Sequence, residues 1–538
     1  MLRNVLVDYL DNIRERDFDL PLLALLSAAG YYDIHFTHGQ VEYGKDIIAK
    51  RNVEGVETQF SFQSKAGDIT LADWRNNIMG QMLELIHVGL SHPSFSRSLP
   101  HQAVLVCTGR LTGNVSLALQ ELNAKVSDIY HLLPIELWDQ ETLLELLERH
   151  GLEGVYNSTA AGYVSYGNFY ILYGKCLQGA ISHREIEHHS HQWIDESIEP
   201  DRRLLVAAIE SEILAQKCSQ QGCLYEASFA HMGALRAIAL QIQIESSENR
   251  LSWLLDVYRQ AKQRLQLSYR TYITRVRQSW LDAEMDLVRL TRNTGSMITY
   301  LVHCARIIEA VGFLYFLESN EADKANAAEF LREFMTREPG CTHPPSDRYA
   351  VSLILPIIAL LDSGLIDTAR EMLRRATIWL CDRHQDGFGL APLESSEQQE
   401  ISTLLGYPFS FVATRATCAS FLATVLCDLA ALTDSELYSV IVNDTKACNI
   451  AMQYWQAQDT TGLFRFDGDD VITYPNIEYS DTLSRFDAYD FAEHITAEPR
   501  AFRIVQIADP VALMAVMLLL RDRYFPTVWP LLIRGRAQ

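Results

Sequence analysis

Three side chains in the segment from Gly39 to Ile69, GQVEYGKDIIAKRNVEGVETQFSFQSKAGDI, have the types and spacing for phosphodiester chemistry. Asp46 opens a strand after a turn. Gln63 and Lys65 close the next strand two residues apart, so both leave the same face of a sheet. A hairpin between the strands sets Asp46 beside that pair, and a carboxylate, an amide oxygen and an ammonium then converge on one sheet edge. Phosphodiester hydrolysis uses a divalent cation to hold the phosphate and acidify a water. Oxygen donors suit magnesium, with manganese as a substitute. A lysine beside the cation orients the water and stabilises charge building on phosphorus. Glutamine is a weaker ligand than glutamate, so a further acid is expected. The candidates are Glu42, just before the turn, and Asp19, on the preceding helix.

The surrounding pattern predicts an α/β domain around a small mixed sheet. A helix is expected from Leu20 to Ala29, ended by Gly30. Strands are expected at Asp33–Thr37, Lys45–Lys50 and Glu57–Gln63, the last alternating polar and apolar residues. A helix follows over Leu71–Val88, capped by Asp68 or Thr70. Then come a strand at Ala103–Thr108, a helix at Val115–Val126, a short strand at Pro134–Trp138 and a helix over Gln140–His150.

The order and context of these residues resemble Mrr-like members of the PD-(D/E)xK restriction-endonuclease superfamily, in a D…QxK variant. The resemblance covers roughly residues 15–150. RDFDLPLLALLSAAGY is similar to the opening helix of that fold, with Asp19 where an acid usually stands. EYGKDI resembles the turn into the strand bearing the metal aspartate, Asp46, and FQSK resembles the QxK of Gln63 and Lys65. Gln81 resembles a glutamine that RecB-like members place near the site, although Leu85 stands where an aromatic residue often follows. LLPIELWDQETLLELL is similar to the closing strand and helix. The resemblance implies a magnesium-dependent endonuclease in prokaryotic defence or restriction, acting on DNA, with RNA left open as a substrate. A structure-specific junction endonuclease and a non-catalytic helical scaffold are the rival readings. A fold transfers more safely than a substrate does.

The chain has 538 residues, enough for two or three domains. A domain over 1–155, a linker over 156–200, a helical domain over 201–340 and a helical C-terminal domain over 341–538 are expected. The last two read as an α-solenoid or α/α-toroid that senses a trigger, oligomerises or docks a partner such as an ATPase. The loop EPGCTHPPSD, 338–347, marks the boundary between them. Net charge is −22, and the first 150 residues hold about 20 acids against about 12 bases. Tight, unaided binding to nucleic acid is not expected from such a balance, and a local basic patch or a partner is needed. Ten scattered cysteines without a CxxC pair predict buried thiols in a reducing compartment rather than a zinc site. No uncharged apolar stretch is long enough to cross a membrane, and the N-terminus lacks a signal-peptide core, so a cytoplasmic location is expected. His183, Glu185, His188, His189 and His191 read as a hydrated linker rather than a metal site. FDGDD, 466–470, reads as a solvated acidic turn.

Overall fold

The computed structural model describes residues 2–37, 46–87, 92–96, 98–129, 132–152, 160–282, 297–407, 418–453, 464, 503–504, 509–522 and 529–533. It comprises an N-terminal mixed sheet with flanking helices, followed by a largely helical region. By contact density the chain divides into two units, Met1–Arg264 and Leu265–Gln538.

In the first unit, α1 (Leu2–Asn12), a 3-10 turn (Glu15–Asp17) and α2 (Asp19–Ala28) precede five strands: β1 (Tyr32–Phe36), β2 (Ile47–Val53), β3 (Val56–Lys65), β4 (His101–Cys107) and β5 (Glu136–Trp138). The strands lie in sequence order. The pairs β1–β2 and β2–β3 are antiparallel, and β3–β4 and β4–β5 are parallel. Local chemistry fixes the β2–β3 register. Glu54 and Gly55 both take left-handed φ, at 52° and 87°, the two-residue turn that suits right-twisted strands. Asn52 Oδ1 accepts the Gly55 N–H at 2.8 Å. On β3, Phe60 and Phe62 pack edge-on to Tyr31, and Phe62 also packs on Trp138. That fixes the alternate set Gln59, Ser61, Gln63 and Lys65 on the opposite face.

Between β3 and β4, Thr70 caps α3 (Leu71–Asp73) in a reciprocal box with Asp73. The helix widens to a π turn over Trp74–Ile78 and continues as α4 (Met79–His87). Trp74, Ile78, Met82 and Leu85 bury against Ala103, Leu105 and Cys107 of β4 and against α5 (Val115–Asp128). The sheet ends with α6 (Gln140–His150), where the sequence predicts it.

Residues 156–200, expected as linker, are largely folded. The described residues form α7 (Ala160–Leu177), α8 (His183–Ser190) and a 3-10 turn (His191–Ile194). They pack on the antiparallel pair α9 (Pro200–Gln220) and α10 (Leu224–Ile244), and α9 packs in turn on α2. The histidine stretch is therefore a helix with one buried side rather than a hydrated linker, and His188 is exposed on the other. His189 and His183 are buried. His189 Nε2 lies 2.7 Å from Glu210 Oε2, which also accepts the Trp193 indole N–H at 2.6 Å. Burial lowers His189 to about 3 and raises Glu210. Their partners come from α9, which sequence spacing within the stretch does not reveal.

The helix α11 (Glu248–Asp282) contains the division between the units. In the second unit, α12 (Met297–Leu317), α13 (Glu321–Arg337), α14 (Ile354–Asp362), α15 (Ile366–Gln385), α17 (Phe421–Thr433) and α18 (Ser435–Ala447) pack largely with sequence neighbours, with the short α16 (Glu397–Leu404) inserted. The segment Glu338–Asp347 is not an exposed boundary. Glu338 is buried and accepts the Trp280 indole N–H at 2.8 Å and the Tyr300 hydroxyl at 3.1 Å. Among the described residues one helical stretch, Thr299–Leu317, is long and apolar enough to cross a membrane. Arg306 and Glu309 interrupt it, and 78% of it is buried. The apolar α19 (Val511–Leu520) is buried throughout. The FDGDD turn lies outside the described residues.

Candidate active site

Asp46 stands one residue before Ile47, whose partner on β3 is Phe62, and so lies at the strand end beside Gln63. Cross-strand neighbours in such a pair project to the same face. The Asp46 N–H donates to Phe62 O, and Asp46 O accepts from Thr37 N, both at 2.9 Å, which locks the backbone on both sides. Asp46 Oδ2 accepts two hydrogen bonds, from Gln63 Nε2 and from Ser64 N, each at 2.8 Å. Its Oδ1 makes no hydrogen bond to a described residue. Asp46 and Gln63 are buried, and Lys65 sits at the rim. The structure thus brings together Asp46 and Gln63, with Lys65 on the same strand face.

Sequence reasoning missed Glu15. It lies on the 3-10 turn ahead of α2, and its Oε1 accepts from Lys65 Nζ at 3.2 Å. The turn is held from behind. Arg264 donates to Asp17, and it forks onto Glu212 with Nε–Oε1 at 2.8 Å and Nη2–Oε2 at 2.7 Å. A bidentate pair of this kind fixes geometry as well as charge. The run RERDFD before an apolar helix was the available signal, but it names no partner for any of its acids.

Asp19, at the start of α2, is buried, and its Oδ2 lies 3.9 Å from Arg16 Nη1. Burial pushes its carboxyl up to about 7, the negative charges of Asp46 and Glu15 add to that, and Arg16 and Arg264 oppose it. Burial also raises Asp46, against the Ser64 N–H and the nearby Lys65. Burial thus holds two acids above their ordinary range in one neighbourhood, the kind of environment found at functional sites. Asp19 therefore lies in the electrostatic neighbourhood of Asp46 and Glu15. Glu42 lies outside the described residues. Gln81 is on α4, with its Oε1 buried and without a hydrogen-bond partner among the described residues; no hydrogen bond ties it to Asp46, Gln63 or Lys65.

The donors here are oxygens, with two carboxyl groups among them, so the set suits a hard divalent ion. Among the described residues no three acid, histidine or cysteine side chains come together as a ready metal cluster. The residues that could hold such an ion are Asp46, through its Oδ1, and Gln63, with Asp19 as the further acid.

The Asp19 shift has a measurable consequence. Its carboxyl ionises near 3.8 when exposed and near 7 when folded. The folded state therefore holds the proton more tightly, and stability falls as pH rises from about 4 to about 7. At about 1.4 kcal/mol per unit this amounts to roughly 4 kcal/mol. Asp19→Asn is expected to flatten that part of the curve of urea midpoint against pH in metal-free protein. A slope identical to wild type would show that Asp19 titrates normally.

No protein-family model, curated protein or solved structure matches the chain.

Proposed function

We propose that the chain is a magnesium-dependent endonuclease that hydrolyses DNA phosphodiester bonds at the Asp46–Gln63–Lys65 edge. The observation that carries this reading is the pairing of Asp46 and Gln63 at adjoining strand ends, with Lys65 two residues on and the buried acid Asp19 in the electrostatic neighbourhood of Asp46. A bound magnesium or manganese ion would polarise the scissile phosphate and supply a water of lowered pKa. Asp46 and Gln63 would hold it, with Asp19 as the auxiliary acid. The Gln63 amide now donates to Asp46, and a half-turn of the amide presents its oxygen instead. Lys65 would donate to the attacking water or to a phosphoryl oxygen, with Glu15 fixing where the ammonium rests.

The resemblance to Mrr-like enzymes supports a role in prokaryotic defence, in the cytoplasm. The antiparallel helix pairs support an α-solenoid-like or α/α-toroid-like C-terminal region that gates cutting, through self-association or a partner such as an ATPase. A non-catalytic, nucleic-acid-binding scaffold is the second reading. The lack of a three-acid cluster among the described residues favours it.

Titration with magnesium and manganese, followed by calorimetry, separates the two. Gln63→Glu restores an anionic ligand, so it is expected to bind magnesium about tenfold more tightly and to retain or raise cleavage. No metal binding in either protein would favour the scaffold. Tighter binding with all cutting lost would give the glutamine a role other than ligation.

A further inference from the structure

We infer that the exposed face of α11 between Arg270 and Ser279 is a docking surface for the phosphate backbone of nucleic acid. This rests on the proposed function only in taking nucleic acid as the partner. Between Asp256 and Asp282 the chain carries Arg259, Lys262, Arg264, Arg270, Arg275 and Arg277 and no aspartate or glutamate. That is a pronounced local inversion in a chain of net charge −22.

Within the second unit, Tyr269, Tyr272, Ile273 and Trp280 form the buried side of this helix. The alternate side is then dictated by helical periodicity. Arg270, Thr271, Thr274, Arg275, Arg277, Gln278 and Ser279 are exposed. Thr271, Thr274, Arg275 and Gln278 follow at i, i+3, i+4 and i+7, one continuous stripe.

The arginines are not there to stabilise their own helix. The residues four away from Arg275 are Thr271 and Ser279, and those four away from Arg277 are Ile273 and Leu281. None is an acid, so the usual i,i+4 ion pairs are absent. Arg270 is committed elsewhere, to Glu318 and Asp323. Arg277 lies over the Phe330 ring, 5.3 Å from its centroid, and a stacked guanidinium keeps its in-plane N–H donors. Arg275 makes no ion pair among the described residues. Its charge is exposed, and its neighbours on the stripe are hydroxyls and an amide.

The Thr271 hydroxyl donates to Leu267 O at 2.8 Å, so on this stripe the Arg275 guanidinium and the Thr274 hydroxyl are the groups that match phosphate oxygens, which only accept. From Thr271 to Gln278 the stripe runs about 10 Å along the helix axis, room for about three phosphates of one strand at ~3.4 Å rise. A protein partner would ask for an apolar anchor at the centre of the patch, and none of the exposed residues from Arg270 to Ser279 supplies one.

The test is fluorescence anisotropy of labelled 30-base duplex and single-stranded DNA with the full chain in EDTA, so that binding is read without cutting. Arg275→Glu with Ser279→Glu changes only exposed side chains and reverses the charge of the stripe. It is expected to raise Kd at least about tenfold. Arg275→Gln alone should make log Kd less steep against log salt by about one unit. Circular dichroism of each variant confirms that the helix is kept. The surface is wrong if the double variant binds with wild-type affinity and salt slope, or if wild type binds neither DNA. It is reassigned to a protein partner if polyglutamate competes as well as DNA. If the double variant loses binding while wild type never cuts with magnesium, the surface stands and the nuclease reading falls. If wild type cuts and the double variant binds unchanged, the reverse holds.

Discussion

Asp46→Asn is expected to reduce magnesium-dependent cleavage by about a thousandfold or more, since it removes the anionic ligand and the metal-held water with it. Asparagine is chosen over alanine on structural grounds. Asp46 Oδ2 accepts from Gln63 Nε2 and Ser64 N, and alanine would leave both buried donors unpaired at about 1–3 kcal/mol each. The asparagine oxygen still accepts from Ser64, so the variant should unfold close to the wild-type midpoint. Nicking of supercoiled DNA, followed over time at matched protein and metal concentrations, gives the rate. A rate within threefold of wild type would place the metal elsewhere.

The second large effect is on stability, and it acts at a distance from the chemistry. Glu212 is buried, and Arg264 and Asp17 complete its network. Burial by itself would raise Glu212, but Arg264 and His231 outweigh it and hold the carboxyl at about 2. Arg264→Ala removes the bidentate partner of buried Glu212 and leaves His231 as its remaining one, so it is expected to cost about 3–5 kcal/mol in denaturant unfolding. The sign with pH is opposite to that for Asp19. Glu212 has a folded pKa below its ordinary 4.5, so its contribution is fully present above about 4.5 and is lost as pH falls toward 2. Arg264→Ala should therefore lose more stability at pH 7 than at pH 3. It should also loosen the turn that carries Glu15, and with it the rest position of Lys65. A loss below about 1 kcal/mol would mean that water replaces the guanidinium.

Much of the sheet was legible because its signals are local. The Glu54–Gly55 turn and the alternation along ETQFSFQ fix the β2–β3 hairpin. Two residues spaced i, i+2 at a strand end must share a face, and Gln63 and Lys65 do. The gaps have a common physical origin, since they depend on partners far away in the chain. Glu15 sits on a 3-10 turn without periodicity, and its partner Lys65 lies fifty residues on, while Arg264, far along the sequence, holds Asp17 of the same turn. His189 looked solvated in a polar run, yet Glu210 and the aromatic Trp193 make its surroundings a core. Glu338 followed by Pro339 and Gly340 reads as a loop, but Trp280 and Tyr300 bury it. Composition describes what a segment is able to bury, and tertiary neighbours decide what it does bury.

The central claim is that one sheet edge hydrolyses DNA with a metal ion, and a single comparison tests it most directly. Purified full-length wild type and Lys65→Ala are incubated with end-labelled duplex DNA, with and without magnesium, and products are resolved at single-nucleotide resolution. Lys65 is at the rim and pairs only with the half-exposed Glu15 among the described residues, so its removal should leave the fold intact. The expected result is cleavage by wild type that depends on magnesium and is lost by at least a hundredfold in Lys65→Ala. Equal cleavage by the two proteins, or none by wild type with either magnesium or manganese, would contradict it.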